Sequence, residues 1–155
     1  MQLATLCYIK HDNKILMLHR IKKLNDMHKG KWNGLGGKFE AGETPEECVI
    51  REVKEESGFD IQNPKLHGFI TFPAFDGFKD WFVFVFSANE FSGEMIDSSE
   101  GELKWIDDDK LNLLNLWEGD KIFMDWLNKE AFFSAKFIYK KKKLCSHSVN
   151  FYSSL

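Results

Sequence analysis

Cysteine is scarce, and what there is forms no pattern. Cys7, Cys48 and Cys145 are an odd number with neither a CxxC pair nor a Cys/His ligand spacing. That speaks against structural zinc and for a reducing, cytoplasmic setting. Long apolar runs are missing too: Leu3–Ile9 is cut by His11 and Asp12, far short of a signal or membrane segment. No targeting sequence and no membrane partner are expected. Basic charge is not in excess, the net charge being −3, so no global attraction to nucleic acid is expected. The run Lys140–Lys143 reads as a solvated turn. The five histidines show no ligand spacing. Without repeats, linkers or a composition break, the chain reads as one domain over residues 1–155, long enough for a sizeable core.

What is present is apolar and aromatic. Hydrophobic residues make up 43% of the chain and aromatics 15%, with fifteen Phe and five Trp, which favours a globular protein over a disordered one. Gln2–Lys10 and Lys14–Arg20, separated by His11-Asp12-Asn13, read as a hairpin. Lys22–Gly30 is polar and turn-rich and reads as a mobile loop, followed by a short strand at Trp32–Leu35. Lys65–Phe72 and Trp81–Ala88 are strong strand candidates joined around Asp76-Gly77. The second has apolar residues on both faces, which implies a central strand covered on both sides. A polar loop over Glu90–Glu102 precedes a strand at Leu103–Ile106, and Asp107-Asp108-Asp109 begins a helical turn. A second helix is expected over Glu118–Asn128, with Ile122, Phe123, Trp126 and Leu127 as its buried stripe. Phe132–Tyr139 and Leu144–Tyr152 alternate like a terminal hairpin. Strands mixed with a few helices give an α/β arrangement with a mixed sheet.

The stretch from Gly37 to Phe59 is organised differently. Thr44 with Glu47 has the form of a capping box, Pro45 suits the first helical position and Gly58 the C-terminal cap, so a helix is expected over Pro45–Ser57. Arg51, Glu52, Glu55 and Glu56 share one face; Val49, Ile50 and Val53 are expected to face the core. Like charges at neighbouring helical positions destabilise by about 0.2–0.5 kcal/mol per pair. Glu55 and Glu56 also stand in the last turn, where the helix dipole disfavours anions. A chain tolerates that when a hard divalent cation, most naturally Mg²⁺ with Mn²⁺ as a substitute, neutralises the cluster.

A glutamate-rich helix face is usually only solvated. The wider pattern reverses that reading. The stretch fits G-x5-E-x7-R-E-U-x-E-E-x-G-U, where U is a bulky apolar residue, without departure. Seven fixed positions at about 6% each give roughly 10⁻⁹ per starting point from composition alone. This is the signature of the Nudix hydrolases, which the sequence strongly resembles.

The resemblance implies an α/β/α sandwich with the catalytic helix against the sheet. It also implies Mg²⁺-dependent hydrolysis of a nucleoside diphosphate linked to another group. Glu52, Glu55 and Glu56 would then be metal ligands, with the Gly37 carbonyl, and Glu100, in the later polar loop, would complete the site. Glu56 or Glu52, or an acid from a loop, would act as general base; Arg51 would orient a glutamate, together with Glu43, and Lys38 would contact phosphates. Gly30–Lys38 and Trp117-Glu118-Gly119-Asp120 are further similar to the MutT-type 8-oxo-dGTP diphosphatases. That similarity maps Asn33 to hydrogen bonding with the base, Trp117 to stacking on it and Asp120 to its Watson–Crick edge. Gly119 departs from the pattern, in which two adjacent acids stand, and breadth toward oxidised adenine nucleotides is in question there.

The substrate expected is therefore a nucleoside triphosphate, 8-oxo-dGTP, hydrolysed to 8-oxo-dGMP and pyrophosphate in nucleotide-pool sanitation linked to DNA repair. Other Nudix substrates (dinucleoside polyphosphates, nucleotide sugars, capped RNA) stay open, as does a non-catalytic Nudix-fold sensor. Monomer and homodimer are equally compatible. Replacing Glu55 and Glu56 together by Gln keeps their shape but removes two ligand charges. Turnover is expected to fall by orders of magnitude while circular dichroism shows the fold retained; undiminished hydrolysis would refute the role given to the helix.

Overall fold

The computed structural model describes residues 1–153, so positions 154–155 of the expected domain lie outside the described residues. β1 (Gln2–His11) and β2 (Lys14–His19) form a hairpin through Asp12 and Asn13, both at positive φ, the two-residue turn that matches right-handed strand twist. The two strands pair only beside the turn, through Lys10–Ile15 and His11–Lys14, and diverge beyond it. Into the gap runs the backbone that follows β3 (Trp32–Asn33). Cys7 and Leu35 exchange N–H···O bonds of 2.6 and 3.0 Å, and the Thr5 amide donates to the Gly37 carbonyl at 2.9 Å.

α1 (Pro45–Ser57) is followed by β4 (Asp60–Gln62), β5 (Lys65–Phe72) and β6 (Trp81–Ala88). Next come β7 (Glu90–Ser92), β8 (Glu102–Asp107), α2 (Glu118–Phe123), β9 (Phe132–Lys140) and β10 (Lys143–Tyr152). The main sheet runs β10-β9-β5-β6-β1-β2-β3, with β8 on the other edge of β2. Its β1–β6 and β5–β9 pairs are parallel and the rest antiparallel, which makes it a mixed sheet. α1 packs Val49 and Val53 on one face against Cys7, Leu16 and Phe86. α2 and the turn after it pack Phe123 and Trp126 on the other face against Tyr8, Ile70 and Phe137. The architecture is therefore an α/β/α sandwich.

Four local expectations need correction. Ile50 is 37% exposed, because the buried stripe of α1 centres on Val49, Val53 and Glu56, about 100° of helical rotation away. Glu56 itself thus lies on the core side of α1 and not on an open acidic face. The strand at Trp32–Leu35 stops at Asn33, since the Gly34–Gly37 backbone leaves β2 and joins β1. The loop Glu90–Glu102 opens with β7, paired to β4 in a small separate sheet, and the helix over Glu118–Asn128 tightens after Phe123 into a 3₁₀ turn at Met124–Asn128.

Two further expectations hold only in part. Lys22–Gly30, read as mobile, is tied down by Lys22–Asp97 at 2.7 Å and by His28–Trp117 at 2.9 Å. In β6 only Val85, Phe86 and Ala88 are fully buried, so the strand is covered on both faces only toward its C-terminal end.

Gly36 carries the tightest approach. Its φ is +139°, and a Cβ there would overlap the Thr5 carbonyl oxygen. Gly36→Ala is expected to lower stability by about 2–5 kcal/mol, combining backbone strain with an overlap that backbone cannot yield to. Urea denaturation measures it; a loss under about 0.5 kcal/mol would show that the gap between β1 and β2 is pliable.

Candidate active site

α1 presents its carboxylates to the Gly36-Gly37 turn for local reasons. Both reciprocal bonds of the capping box form, Glu47 N–H to Thr44 Oγ1 at 3.1 Å and Thr44 N–H to Glu47 Oε1 at 3.0 Å. At the other end the Gly58 amide, at φ +84°, donates to the Lys54 carbonyl. With both ends set, Glu52 and Glu56 stand one turn apart and face the glycines. The Gly36 N–H donates to Glu56 Oε1 at 2.7 Å, and a Cβ on Gly37 would come within 2.5 Å of the Glu52 carboxyl carbon.

Arg51 binds this region together. Its Nε and Nη2 grip Glu43 at 2.6 and 2.8 Å, Nη1 reaches Glu52 at 2.8 Å and Glu55 at 3.3 Å, and Nη2 also donates to the Lys38 carbonyl at 3.0 Å. The fork holds the Glu43 carboxyl down at a pKa of about 2, with the Glu40 amide assisting. Glu55 is the outermost member, its side chain 57% exposed.

From the far loop, Glu100 comes to face Glu56. Lys23 bonds Glu100 at 3.0 Å, and Arg20, itself paired with Asp26 at 2.8 Å, stands 3.9 Å from it. Burial, then the hydrogen bond to Glu100, pushes the Glu56 pKa well above the carboxylate range. Burial alone would raise Glu100 as well, but the bond from Glu56, with Lys23 and Arg20, brings it down. Glu52 is raised by burial against the pull of Arg51.

Among the described residues no three such groups already converge on one point as a cation would require. Arg51 holds Glu52 and Glu55, and Lys23 holds Glu100. The donor set nonetheless suits a hard divalent ion: all-oxygen and crowded with like charge. The Gly37 carbonyl accepts from the Thr5 amide at 2.9 Å and, at longer range, from the Thr5 hydroxyl and the Cys48 thiol. The Lys38 ammonium lies 5.5 Å over the Trp81 ring.

The opposite sheet face holds a second group. Trp117 and Asp120, at the start of α2, are buried beside Tyr8 and Tyr139, while Asn33 is buried on β3. Trp117 donates its indole N–H to His28 Nδ1 at 2.9 Å, meets Phe75 and Tyr139 edge-on, and carries Lys31 Nζ 5.0 Å above its ring. Burial lowers the His28 pKa to about 4, so the ring stays neutral and Nδ1 accepts. Asp120 has no hydrogen-bond donor to its carboxylate among the described residues, and burial raises its pKa to about 7 against the pull of Lys31. Gly119 explains its own departure from the two-acid pattern. Its amide donates to Tyr139 Oη at 2.7 Å, and a Cβ there would lie 2.8 Å from Phe137 Cδ1, so a second acid has no room.

Sequence reasoning missed Tyr8, His28, Phe75 and Tyr139 around Trp117, and Arg20 and Lys23 around Glu100. Nothing in a strand such as Leu6-Cys7-Tyr8-Ile9 distinguishes a pocket tyrosine from packing, and His28 showed no ligand spacing.

A glycine turn docked into a split sheet, a carboxylate-bearing helix beside it and an aromatic cluster on the other face define a pyrophosphohydrolase of the MutT fold. The NUDIX domain model matches residues 1–127, and the chain belongs to the Nudix hydrolase family. It is 35% identical over 133 residues to the uncharacterized Nudix hydrolase YvcI of Bacillus subtilis, covering 83% of this chain and 80% of that one. It is 36% identical over 104 residues to the oxidized purine nucleoside triphosphate hydrolase of Danio rerio, covering 66% and 67%. To the ADP-ribose pyrophosphatase of Methanocaldococcus jannaschii it is 36% identical over 127 residues, covering 77% and 69%. The crystal structure of the MutT protein from Bacillus halodurans superposes with a TM-score of 0.86 at 33% identity, covering 97% and 98%.

The raised Asp120 pKa has a signed consequence. Its burial penalty is absent below the unfolded value of about 4 and complete above about 7. Asp120→Asn is therefore expected to stabilise the ligand-free protein increasingly as pH rises from 4 to 7, by up to about 4 kcal/mol. Thermal unfolding across that range measures it, and a pH-independent difference would contradict the assignment.

Proposed function

We propose that this Nudix hydrolase is a Mg²⁺-dependent nucleoside triphosphate pyrophosphohydrolase acting on 8-oxo-dGTP. The observation that carries the reading is Asp120. A carboxylate buried beside Trp117 without a protein donor is costly unless a ligand brings the donors. Guanine-type bases carry two, N1–H and N2–H, side by side. The Danio rerio relative supports the same substrate class. Stacking a base on Trp117 displaces Lys31 or Phe75 from the indole.

Glu52, Glu56 and Glu100, with Glu55 and the Gly37 carbonyl, would hold the cation. Bound there, it would neutralise polyphosphate charge and ease deprotonation of the attacking water. Arg51 fixes the Glu52 carboxylate in orientation and ties it to the glycine turn. Glu56, anchored by the Gly36 amide, or Glu52 beside it would accept the proton of the attacking water. Lys38 swings from Trp81 to the phosphates. Attack at the β-phosphorus breaks its bond to the αβ-bridging oxygen, and the products are a nucleoside monophosphate and pyrophosphate. The chemistry would run in the cytoplasm, on free nucleotides.

A second reading, hydrolysis of ADP-ribose, has the Methanocaldococcus jannaschii relative in its favour. The experiment is kcat/KM measured side by side on 8-oxo-dGTP, dGTP, ADP-ribose, diadenosine polyphosphates and nucleotide sugars, in ¹⁸O-water. We expect 8-oxo-dGTP to lead and the label to enter pyrophosphate. Asn33→Ala should narrow the 8-oxo-dGTP to dGTP ratio, because the bases differ at N7 and C8. Asp120→Ala should weaken both alike, because their Watson–Crick edge is shared. No preference for 8-oxo-dGTP would overturn the reading, and a lead for ADP-ribose would put the second in its place.

A further inference from the structure

Tyr8 is wholly buried, and among the described residues its hydroxyl is the one side-chain polar atom shut off from solvent and without a hydrogen-bond partner. Such a group is expensive to leave unpaired, and native proteins rarely do so without reason. Nor is Tyr8 an isolated core residue. A Cβ built on Gly34 would come 2.9 Å from Tyr8 Cε1, so the ring passes directly under the backbone that follows Asn33. At its far end the ring packs in one cluster with Leu116, Trp117 and Phe123, which bracket Asp120 in the chain. Its centroid lies 6.5 Å from that of Phe123.

The hydroxyl also feels the Asp120 charge. Burial first, then Asp120, raises its pKa well above the ordinary tyrosine value, which keeps it protonated and a donor. The neighbouring Tyr139 hydroxyl is anchored by the Gly119 amide, from which it accepts. Tyr8 is thus the hydroxyl of this cluster with no partner of either kind, under the backbone that follows Asn33 and near enough to Asp120 to feel its charge.

We propose that Tyr8 is a specificity-determining residue whose hydroxyl donates to the C6 carbonyl of a bound guanine-type base. This rests on the base-pocket reading above. The edge chemistry follows from the order of groups on guanine: N2–H and N1–H, both donors, then O6, an acceptor. A carboxylate that takes the two donors leaves O6 facing whatever stands next to it. Asp120 and Tyr8 present that sequence, acceptor beside donor. Asn33 is then free for the N7 and C8 side.

The test replaces one atom on each side of the contact. 6-Thio-dGTP keeps N1–H and N2–H but offers sulfur, a weak acceptor, at C6. The wild-type protein is expected to favour dGTP over 6-thio-dGTP in kcat/KM. Tyr8→Phe should lower the value for dGTP about tenfold or more while leaving 6-thio-dGTP nearly unchanged, so that the ratio collapses. In the same variant the ligand-free Tm should hold or rise, because no protein hydrogen bond is lost. Equal losses on both nucleotides, or a fallen Tm, would show a structural hydroxyl and overturn the proposal. An unmoved ratio in a protein that still selects guanine over adenine and pyrimidine nucleotides overturns the Tyr8 assignment alone. A wild-type protein that selects no base overturns the pocket reading and this one with it.

Discussion

Everything at the catalytic face depends on how closely the Gly36-Gly37 backbone lies against its neighbours. On one side it is hydrogen-bonded into β1, where any side chain on Gly36 would collide with the Thr5 carbonyl. On the other, Gly37 leaves just enough space for the Glu52 carboxylate, and the Gly36 amide holds Glu56. The split between β1 and β2 exists to admit this segment. Were the two strands paired throughout, the turn would have no edge to bond and the acidic helix nothing to face.

That packing gathers negative charge, and the molecule compensates unevenly. Arg51 alone serves Glu43, Glu52, Glu55 and the Lys38 carbonyl, using a planar fork that a lysine could not imitate. Its grip is strongest on Glu43, which serves structure, and lighter on Glu55. Glu56 and Glu100 are compensated differently: burial and then Glu100 push the Glu56 pKa up, while Glu56, Lys23 and Arg20 bring that of Glu100 down. This division suits a protein that must remain folded without a cation and yet release carboxylates to one.

The loop between β2 and β3 links the two faces. Its Lys23 and Arg20 stand at Glu100, Asp26 closes it through Arg20 and through the His28 amide, and His28 takes the Trp117 indole N–H. One segment therefore supports both the carboxylate that completes the acidic cluster and the tryptophan of the aromatic pocket. Lys22–Gly30 reads as mobile from composition because polar, turn-rich stretches usually are. Here Lys22 and Lys23 are taken up by Asp97 and Glu100, 75 and 77 residues away, which composition does not reveal.

The sequence by itself determined the hairpins, the capped helix over Pro45–Ser57, the run of acids upon it and the family to which the chain belongs. Each is written in neighbouring residues: turn dipeptides, period-two alternation, a capping box, fixed motif spacing. Ile50 shows where that grammar stops, since helical spacing admits it to the buried stripe and only the sheet's position turns it outward. Tertiary structure alone decided that Glu56 would be buried, that Glu100 would meet it and that Gly119 would give its space to Tyr139. It alone brought Tyr8 into one buried cluster with Trp117. Those outcomes depend on which segments become neighbours across tens of residues of sequence, and burial, which shifts each pKa, belongs to the assembled layers and not to any segment.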